Sequence, residues 1–205
     1  MDVEAIGGIL GEKFAGVAGE GALALAELQL PPDAAILDVG TGKGYFAIFL
    51  AAQGYRVLTG EPITDRSKYA GQDWETNAEK AGVRDRIRFQ HFDATRMPFA
   101  PGSFGAVFFF GVLHHVAEAQ RGDVVREAFR VVKQGGAVVF FEPRAALLKR
   151  LWTEDAGHPR AADPSLYLPG SDIRERRLEG ALMDIYLYRR AAAGDEQRLG
   201  ELPGR

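Results

Sequence analysis

Cysteine is absent from all 205 residues, which excludes disulfides, thiolate metal centres and cysteine nucleophiles. Histidine is scarce, at 4. No third ligand stands at a recognisable spacing from the adjacent pair His114-His115, so no metal is expected. A basic excess is lacking too: 25 Lys plus Arg face 28 Asp plus Glu, for a net charge of −3. A general nucleic-acid binder needs positive charge to neutralise phosphates, so no nucleic-acid partner is expected. No apolar run approaches the roughly 20 residues that cross a bilayer; 106–113 is about the longest. Asp2 and Glu4 stand where a secretory signal carries positive charge. The expectation is a cytoplasmic protein without a membrane partner. What remains is ordinary globular composition, 46% hydrophobic and 26% charged. A chain of this length forms one domain and buries roughly 70% of its unfolded surface.

Residues 1–30 are rich in Ala, Gly and Leu. Leu23, Leu25, Ala26, Leu28 and Leu30 predict a short helix over 21–30, stopped by Pro31-Pro32. The glycines before it speak against a long regular helix, and 1–30 is a candidate lid. A repeated grammar follows. Short β-branched or aromatic runs at 35–39, 56–59, 86–91, 106–110 and 137–141 alternate with amphipathic stretches at 45–53, 65–81 and 118–132. Strands separated by helix-length segments read as βαβ units, hence a mainly parallel sheet. Val107-Phe108-Phe109-Phe110 and Val138-Val139-Phe140-Phe141 show no polar alternation, as expected of strands covered on both faces. After Glu142 the pattern changes: 158–170 reads as loop, and 173–178 and 182–188 flank Glu179-Gly180 as an antiparallel hairpin. The fold class is therefore α/β, a three-layer sandwich. Its seven-stranded, mostly parallel sheet ends in the hairpin, in a single domain over 1–190. Residues 191–205 are expected to be a mobile tail.

The sharpest signal is Ile36-Leu37-Asp38-Val39-Gly40-Thr41-Gly42-Lys43-Gly44-Tyr45, a strand, a glycine-rich turn and a helix start. Glycines permit positive φ and let a ligand approach the backbone, and the helix start presents free N–H groups. A P-loop requires Ser or Thr after Gly-Lys and a glycine five residues before the second one. Gly44 and Leu37 stand there instead, so that assignment fails. A dinucleotide fingerprint places its third glycine at position 45, which is Tyr45, and is weakened.

The spacing Asp38-x-Gly40-x-Gly42-x-Gly44 resembles the first motif of the class I S-adenosylmethionine-dependent methyltransferases. The similarity runs from residue 34 to about 189. Glu61 follows Gly44 by 17 residues, where that family grips both ribose hydroxyls. Asp93-Ala94 stands where the family contacts the adenine amino group. Met97-Pro98-Phe99, then Ser103 to Val107, lead into the fourth strand, and Gly111-Val112-Leu113-His114-His115-Val116 follows it, as in the small-molecule branch. Glu127 to Lys133, then Gly135-Gly136, precede the fifth strand. The chain departs from the family at Gly105, where Asp is usual. It departs again after Glu61, where 62–74 is about one helical turn longer. Tyr69, Gln72 and Trp74 are candidates for an elaboration over the cofactor, although for Trp74 packing against a helix is the preferred role.

The resemblance implies S-adenosylmethionine as cosubstrate, S-adenosylhomocysteine as product and a small or medium-sized acceptor methylated by in-line displacement. It implies cofactor contacts at Asp38, Gly40, Gly42, Gly44, Glu61, Asp93, Ala94 and Gly111. In an open parallel sheet, ligands bind beyond the strands' carboxyl ends, and these positions all fall at one edge. His114 and His115 are the catalytic candidates, one as a general base and the other packed. Glu142 is a candidate acceptor contact or a helix N-terminal charge. Asp93 capping a turn, and Glu61 as a surface charge, are the plain alternatives. Two other functions stay open: a nicotinamide-dependent oxidoreductase on a related fold, and a non-catalytic S-adenosylmethionine binder.

Overall fold

A computed structural model of the chain describes residues 2–170 and 173–190; the expected tail at 191–205 lies outside the described residues. Seven strands form one sheet: β1 (Ala35–Val39), β2 (Arg56–Gly60), β3 (Ile87–Phe89), β4 (Phe104–Phe110), β5 (Val132–Pro143), β6 (Ile173–Glu179) and β7 (Met183–Arg190). Their order is β3-β2-β1-β4-β5-β7-β6. The first five pair in parallel, and β7 joins β5 and β6 antiparallel. The seven-stranded, mostly parallel sheet with a terminal hairpin is the architecture expected from the sequence.

Among the described residues six helices flank the sheet: α1 (Val3–Leu10), α2 (Glu12–Leu28), α3 (Tyr45–Ala52), α4 (Trp74–Lys80), α5 (Glu118–Val131) and α6 (Ala145–Glu154). The apolar strand runs bury both faces because successive side chains point to opposite sides. Ile36, Phe108, Val139 and Phe141 pack with Ile6, Phe14, Phe46 and Phe49 of the first three helices. Leu37, Val107, Phe109, Val138 and Phe140 pack with Val124, Ala128 and Phe129 of α5. Phe46 anchors the first layer, its ring centroid 5.0–5.3 Å from those of Phe108, Phe110 and Phe141.

Four elements differ from the sequence expectation. The short helix at 21–30 is the end of α2, which begins at Glu12. Its glycines cost helix propensity, but Gly21 lets the helix lie on the Phe49 ring, which a Cβ would hit. α3 is not amphipathic; Phe46 to Ala51 are all buried, as in a helix enclosed by α2 and the sheet. The helix expected over 65–81 shrinks to α4, with 62–73 irregular. α6 stands in a stretch with no helix expectation. Ile6, Phe14 and Ala18 lie in the main core, so the candidate lid at 1–30 packs on the sheet layer. Buried Glu20 accepts from Leu182 N–H at 2.7 Å and pins α2 to the hairpin turn. Gly105 sits at a register shift between β4 and β5. A Cβ on neighbouring Gly136 would lie 2.7 Å from the Gly105 carbonyl oxygen. No helix among the described residues is long and apolar enough to cross a membrane.

Candidate functional site

The crossover from β1 to β2 packs on one side of the sheet and the segment leading into β4 on the other, so the strand order reverses between β1 and β4, where a crevice forms beyond the carboxyl ends of an open sheet. β1 delivers Asp38 and the glycine loop into this crevice. Gly40, Gly42 and Gly44 have φ of +87°, +48° and +75°, the left-handed region that favours glycine. The loop is tied down by a directed chain of hydroxyls. Asp38 Oδ2 accepts from Thr59 Oγ1 at 2.8 Å. With its own proton so committed, Thr59 accepts from Thr41 Oγ1 at 2.9 Å. Asp38 Oδ1 is buried without a partner. Desolvation raises the Asp38 pKa to about 7, with the Thr59 hydrogen bond opposing.

β2 delivers Glu61, which is buried. Its Oε2 accepts from Gly42 N–H at 3.2 Å, linking it to the glycine loop. Its Oε1 accepts from Gly71 N–H at 2.6 Å. A carboxylate has about four lone-pair sites, so both oxygens keep capacity for hydroxyl donors. Segment 62–73 is thereby drawn across the glycine loop: a Cβ on Gly42 would sit 3.6 Å from the Tyr69 carbonyl oxygen, and one on Gly44 would sit 2.9 Å from Trp74 Cβ. Trp74 stacks on Phe89 at 5.6 Å, so it packs the α4–β3 junction as well as walling the loop. Gln72 turns back on its own segment, donating to the Lys68 carbonyl.

Asp93 is exposed, and its Oδ1 accepts from Thr95 N–H and Thr95 Oγ1, both at 2.8 Å. This is the turn-capping role; half-buried Ala94 lies beside it. The following segment is braced by Arg130, which donates to the Met97 and Phe99 carbonyls and to Glu127, while Glu127 accepts from Met97 N–H. Gly111 ends β4 with φ +68°, its N–H on the Phe141 carbonyl at 2.9 Å.

Beyond Gly111 a 3-10 turn carries His114 and His115. His114 is buried, and its Nδ1 lies 2.8 Å from Glu142 Oε2, which also accepts from Ala162 N–H at 2.9 Å. Glu142 is 1% exposed, and its Oε1 has no partner. It therefore orients His114 and the 162 loop, a role the acceptor-contact and helix-charge assignments did not include. The third member, His158, gave no signal in the sequence. It lies in the aperiodic stretch 43 positions from His115 and is held there by Trp152 Nε1 donating to its carbonyl. The imidazole centroids of His114, His115 and His158 are 4.3–5.2 Å apart. Tyr69 covers them, its ring tilted at 4.8 Å from His115, with its hydroxyl 3.0 Å from His158 Nδ1 and 3.3 Å from Asp155 Oδ2. Burial, then the neighbouring imidazoles, pushes His115 down to about 4 although its surface remains exposed. Burial lowers His158 as well. His115 is thus neutral near pH 7, with a lone pair available.

The edge consequently holds two adjoining parts. One offers partnerless Asp38 Oδ1, side-chain-free glycines and the Glu61 carboxylate. The other offers three imidazoles backed by Glu142, Tyr69 and Asp155. The structure brings Asp38, Gly40, Gly42, Gly44 and Glu61 together, with Gly111 between this group and the histidines.

Residues 37–140 match the family described as Methyltransferase domain. The 27-O-demethylrifamycin SV methyltransferase of Amycolatopsis mediterranei is 36% identical over 101 residues, 49% of this chain and 35% of that one. A ubiquinone/menaquinone biosynthesis C-methyltransferase of Geotalea daltonii is 31% identical over 135 residues, 63% of this chain and 55% of that one. This chain spans from about a third to just over half the length of the curated relatives it matches. Among solved structures, the geranyl diphosphate C-methyltransferase of Streptomyces coelicolor A3(2) shares the fold with a TM-score of 0.62 at 13% identity, covering 84% of this chain and 78% of that one. That enzyme was crystallised with Mg2+, geranyl diphosphate and S-adenosylhomocysteine.

Proposed function

The chain belongs to the Methyltransferase domain family, and from that premise we propose that it transfers the methyl group of S-adenosylmethionine to a small or medium-sized acceptor. One observation carries the proposal: Asp38, the glycine loop and Glu61 converge at the carboxyl ends of β1 and β2, with Glu61 bonded directly to Gly42 N–H. The residues suit the cosubstrate. Partnerless Asp38 Oδ1 can take an ammonium or N–H donor, and Glu61 can accept two vicinal hydroxyls. The glycines let the ligand lie against backbone, and Asp93 and Ala94 stand at the edge for the adenine. The bound sulfonium supplies an activated methyl group. The protein's part is to align the acceptor, exclude water and accept or direct a proton when the acceptor carries one. Segment 62–73 supports the exclusion of water, since it already crosses the loop and reaches the histidines through Tyr69.

The relatives' names, which mention demethylrifamycin and ubiquinone/menaquinone biosynthesis, support an acceptor of that size class. A cytoplasmic location and no nucleic-acid partner belong to the same proposal. The oxidoreductase alternative is disfavoured because Tyr45 replaces the third glycine of a dinucleotide loop, its ring edge-on to Phe14 at 6.0 Å. Calorimetric titration with S-adenosylmethionine, S-adenosylhomocysteine and NAD tests the proposal. Micromolar binding of the first two is expected, followed by methyl transfer in a screen of phenolic, enolic and thiol acceptors. Binding of NAD alone would move the chain to the oxidoreductase class.

A further inference from the structure

We propose that His114, His115 and His158 form a binding site for one divalent transition-metal ion of the zinc class, with one coordination position left open. One ligand nitrogen from each residue lies within 4.8 Å of the others. A tetrahedral ion at a Zn–N distance of about 2.0–2.1 Å separates its ligands by about 3.3 Å. The widest pair thus has to close by at most about 1.5 Å, within reach of imidazole rotation.

The surrounding groups point the lone pairs. Glu142 Oε2 already accepts from Ala162 N–H, and as an acceptor it takes the His114 proton on Nδ1. Nε2 is then bare. Asp155, paired with Lys68 at 2.8 Å, takes the Tyr69 hydroxyl proton. Tyr69 oxygen must then accept from His158 Nδ1–H, and His158 Nε2 is bare as well. His158 Nε2 is buried without a partner, a state that costs folding free energy unless something occupies it. Metal-bound imidazoles characteristically donate their second N–H to a carboxylate or another acceptor in this way. The two bare nitrogens belong to residues that are 4% and 7% exposed.

The donor set selects the ion. Imidazoles suit zinc, iron, nickel or copper, whereas Mg2+ prefers oxygen ligands. Three protein ligands leave the fourth tetrahedral position open, as in catalytic rather than structural zinc sites. His114 Cε1 is 3.9 Å from where a Cβ on Gly111 would stand, so the imidazoles lie next to the glycine that follows β4. Use of the open position rests on the methyl-transfer proposal: it would take an acceptor hydroxyl or thiol. The acceptor's O–H or S–H proton passes to solvent, the metal-held anion forms a bond to the methyl carbon, and the S–CH3 bond of the sulfonium breaks. The electron pair stays on a neutral thioether. No oxidant or reductant is consumed.

The test is titration of chelator-stripped protein with Zn2+, with Co2+ as a visible-absorption probe, alongside S-adenosylhomocysteine binding to the same sample. One Zn2+ per chain is expected, with no competition from Mg2+. Glu142→Gln should weaken Zn2+ about 10–100-fold, and His114→Ala and His158→Ala should weaken it more. His158→Asn serves as the milder variant, cooperative melting identifies folded samples, and His91→Ala should bind like the parent. A folded parent that binds S-adenosylhomocysteine but no stoichiometric Zn2+ overturns the metal site and leaves methyl transfer standing. Zn2+ affinity unchanged in folded His158→Asn overturns it too. Stoichiometric Zn2+ without S-adenosylhomocysteine binding keeps the site and removes its assigned role.

Discussion

Substituting Gly40 tests whether the glycine loop and the histidine-bearing turn are mechanically joined. Gly40 has φ +87°, and a Cβ built there lies 2.5 Å from Val112 Cγ2. Two costs follow for Gly40→Ala. A non-glycine residue in the left-handed region costs about 1–2 kcal/mol, and forcing a methyl into occupied space costs about 1–3 kcal/mol. The sum, about 2–5 kcal/mol, corresponds to a fall in melting temperature of about 4–20 °C for a chain of this size. Only the second cost depends on Val112. The double variant Gly40→Ala/Val112→Ala should therefore recover about 1–3 kcal/mol relative to additivity while the backbone cost persists. Thermal and guanidinium unfolding of the parent, both singles and the double close the cycle. Additivity to within about 0.5 kcal/mol would show that the two loops do not touch.

Three further outcomes are expected. Glu61→Ala removes a charged acceptor from Gly42 and Gly71 N–H and from the ligand hydroxyls; at about 1.5–3 kcal/mol for such a bond, S-adenosylhomocysteine should bind about 10–150-fold more weakly by calorimetry, and an unchanged affinity would remove Glu61 from the site. Asp38, with its pKa raised from 3.8 to about 7, contributes stability that is full below pH 3.8 and lost as pH rises through about 7, a span on the order of 4 kcal/mol. Ligand-free Asp38→Asn should accordingly show a flatter melting temperature between pH 4 and 7, and a profile parallel to the parent's would contradict the burial argument. Arg130→Lys keeps the charge but cannot span Met97, Phe99 and Glu127 together; a loss of about 1–2 kcal/mol in guanidinium unfolding is expected, and less than about 0.3 kcal/mol would mean the brace is idle.

The sheet was legible because its signals are local. Runs such as 106–110 and 137–141 carry the burial of both faces in their own composition, and the hairpin announces itself at Glu179-Gly180. The contact between the glycine loop and Glu61 was legible for the same reason, since Asp38 to Gly44 is one contiguous stretch and Glu61 follows the adjoining strand. Misjudged elements are those whose state depends on a distant partner. α2 tolerates its glycines only because Phe49 lies beneath Gly21. The helix expected at 65–81 yields its first half because Glu61 captures Gly71 N–H and Asp155 captures Lys68. An isolated 62–73 segment has neither partner.

The same dependence explains why His158 gave no signal and why the histidine cluster could not be read from spacing. Its neighbours are recruited from four separate regions: Glu142 from the end of β5, His114 and His115 from the turn after β4, Tyr69 from the long segment after Glu61, and Asp155 from the end of α6. Each region has another reason to be where it is, and only their intersection makes a constellation. Tyr69 joins the two parts of the site. Two residues beyond it, Gly71 holds Glu61, while its own hydroxyl bridges His158 and Asp155. A ligand that competes with Gly71 for Glu61 would thereby loosen the cover over the histidines. One that satisfies Glu61 alongside Gly71 would leave the cover closed. Occupancy of Glu61 and access to the imidazoles are therefore coupled through a single short segment, and 62–73 supplies the length that the bridge requires.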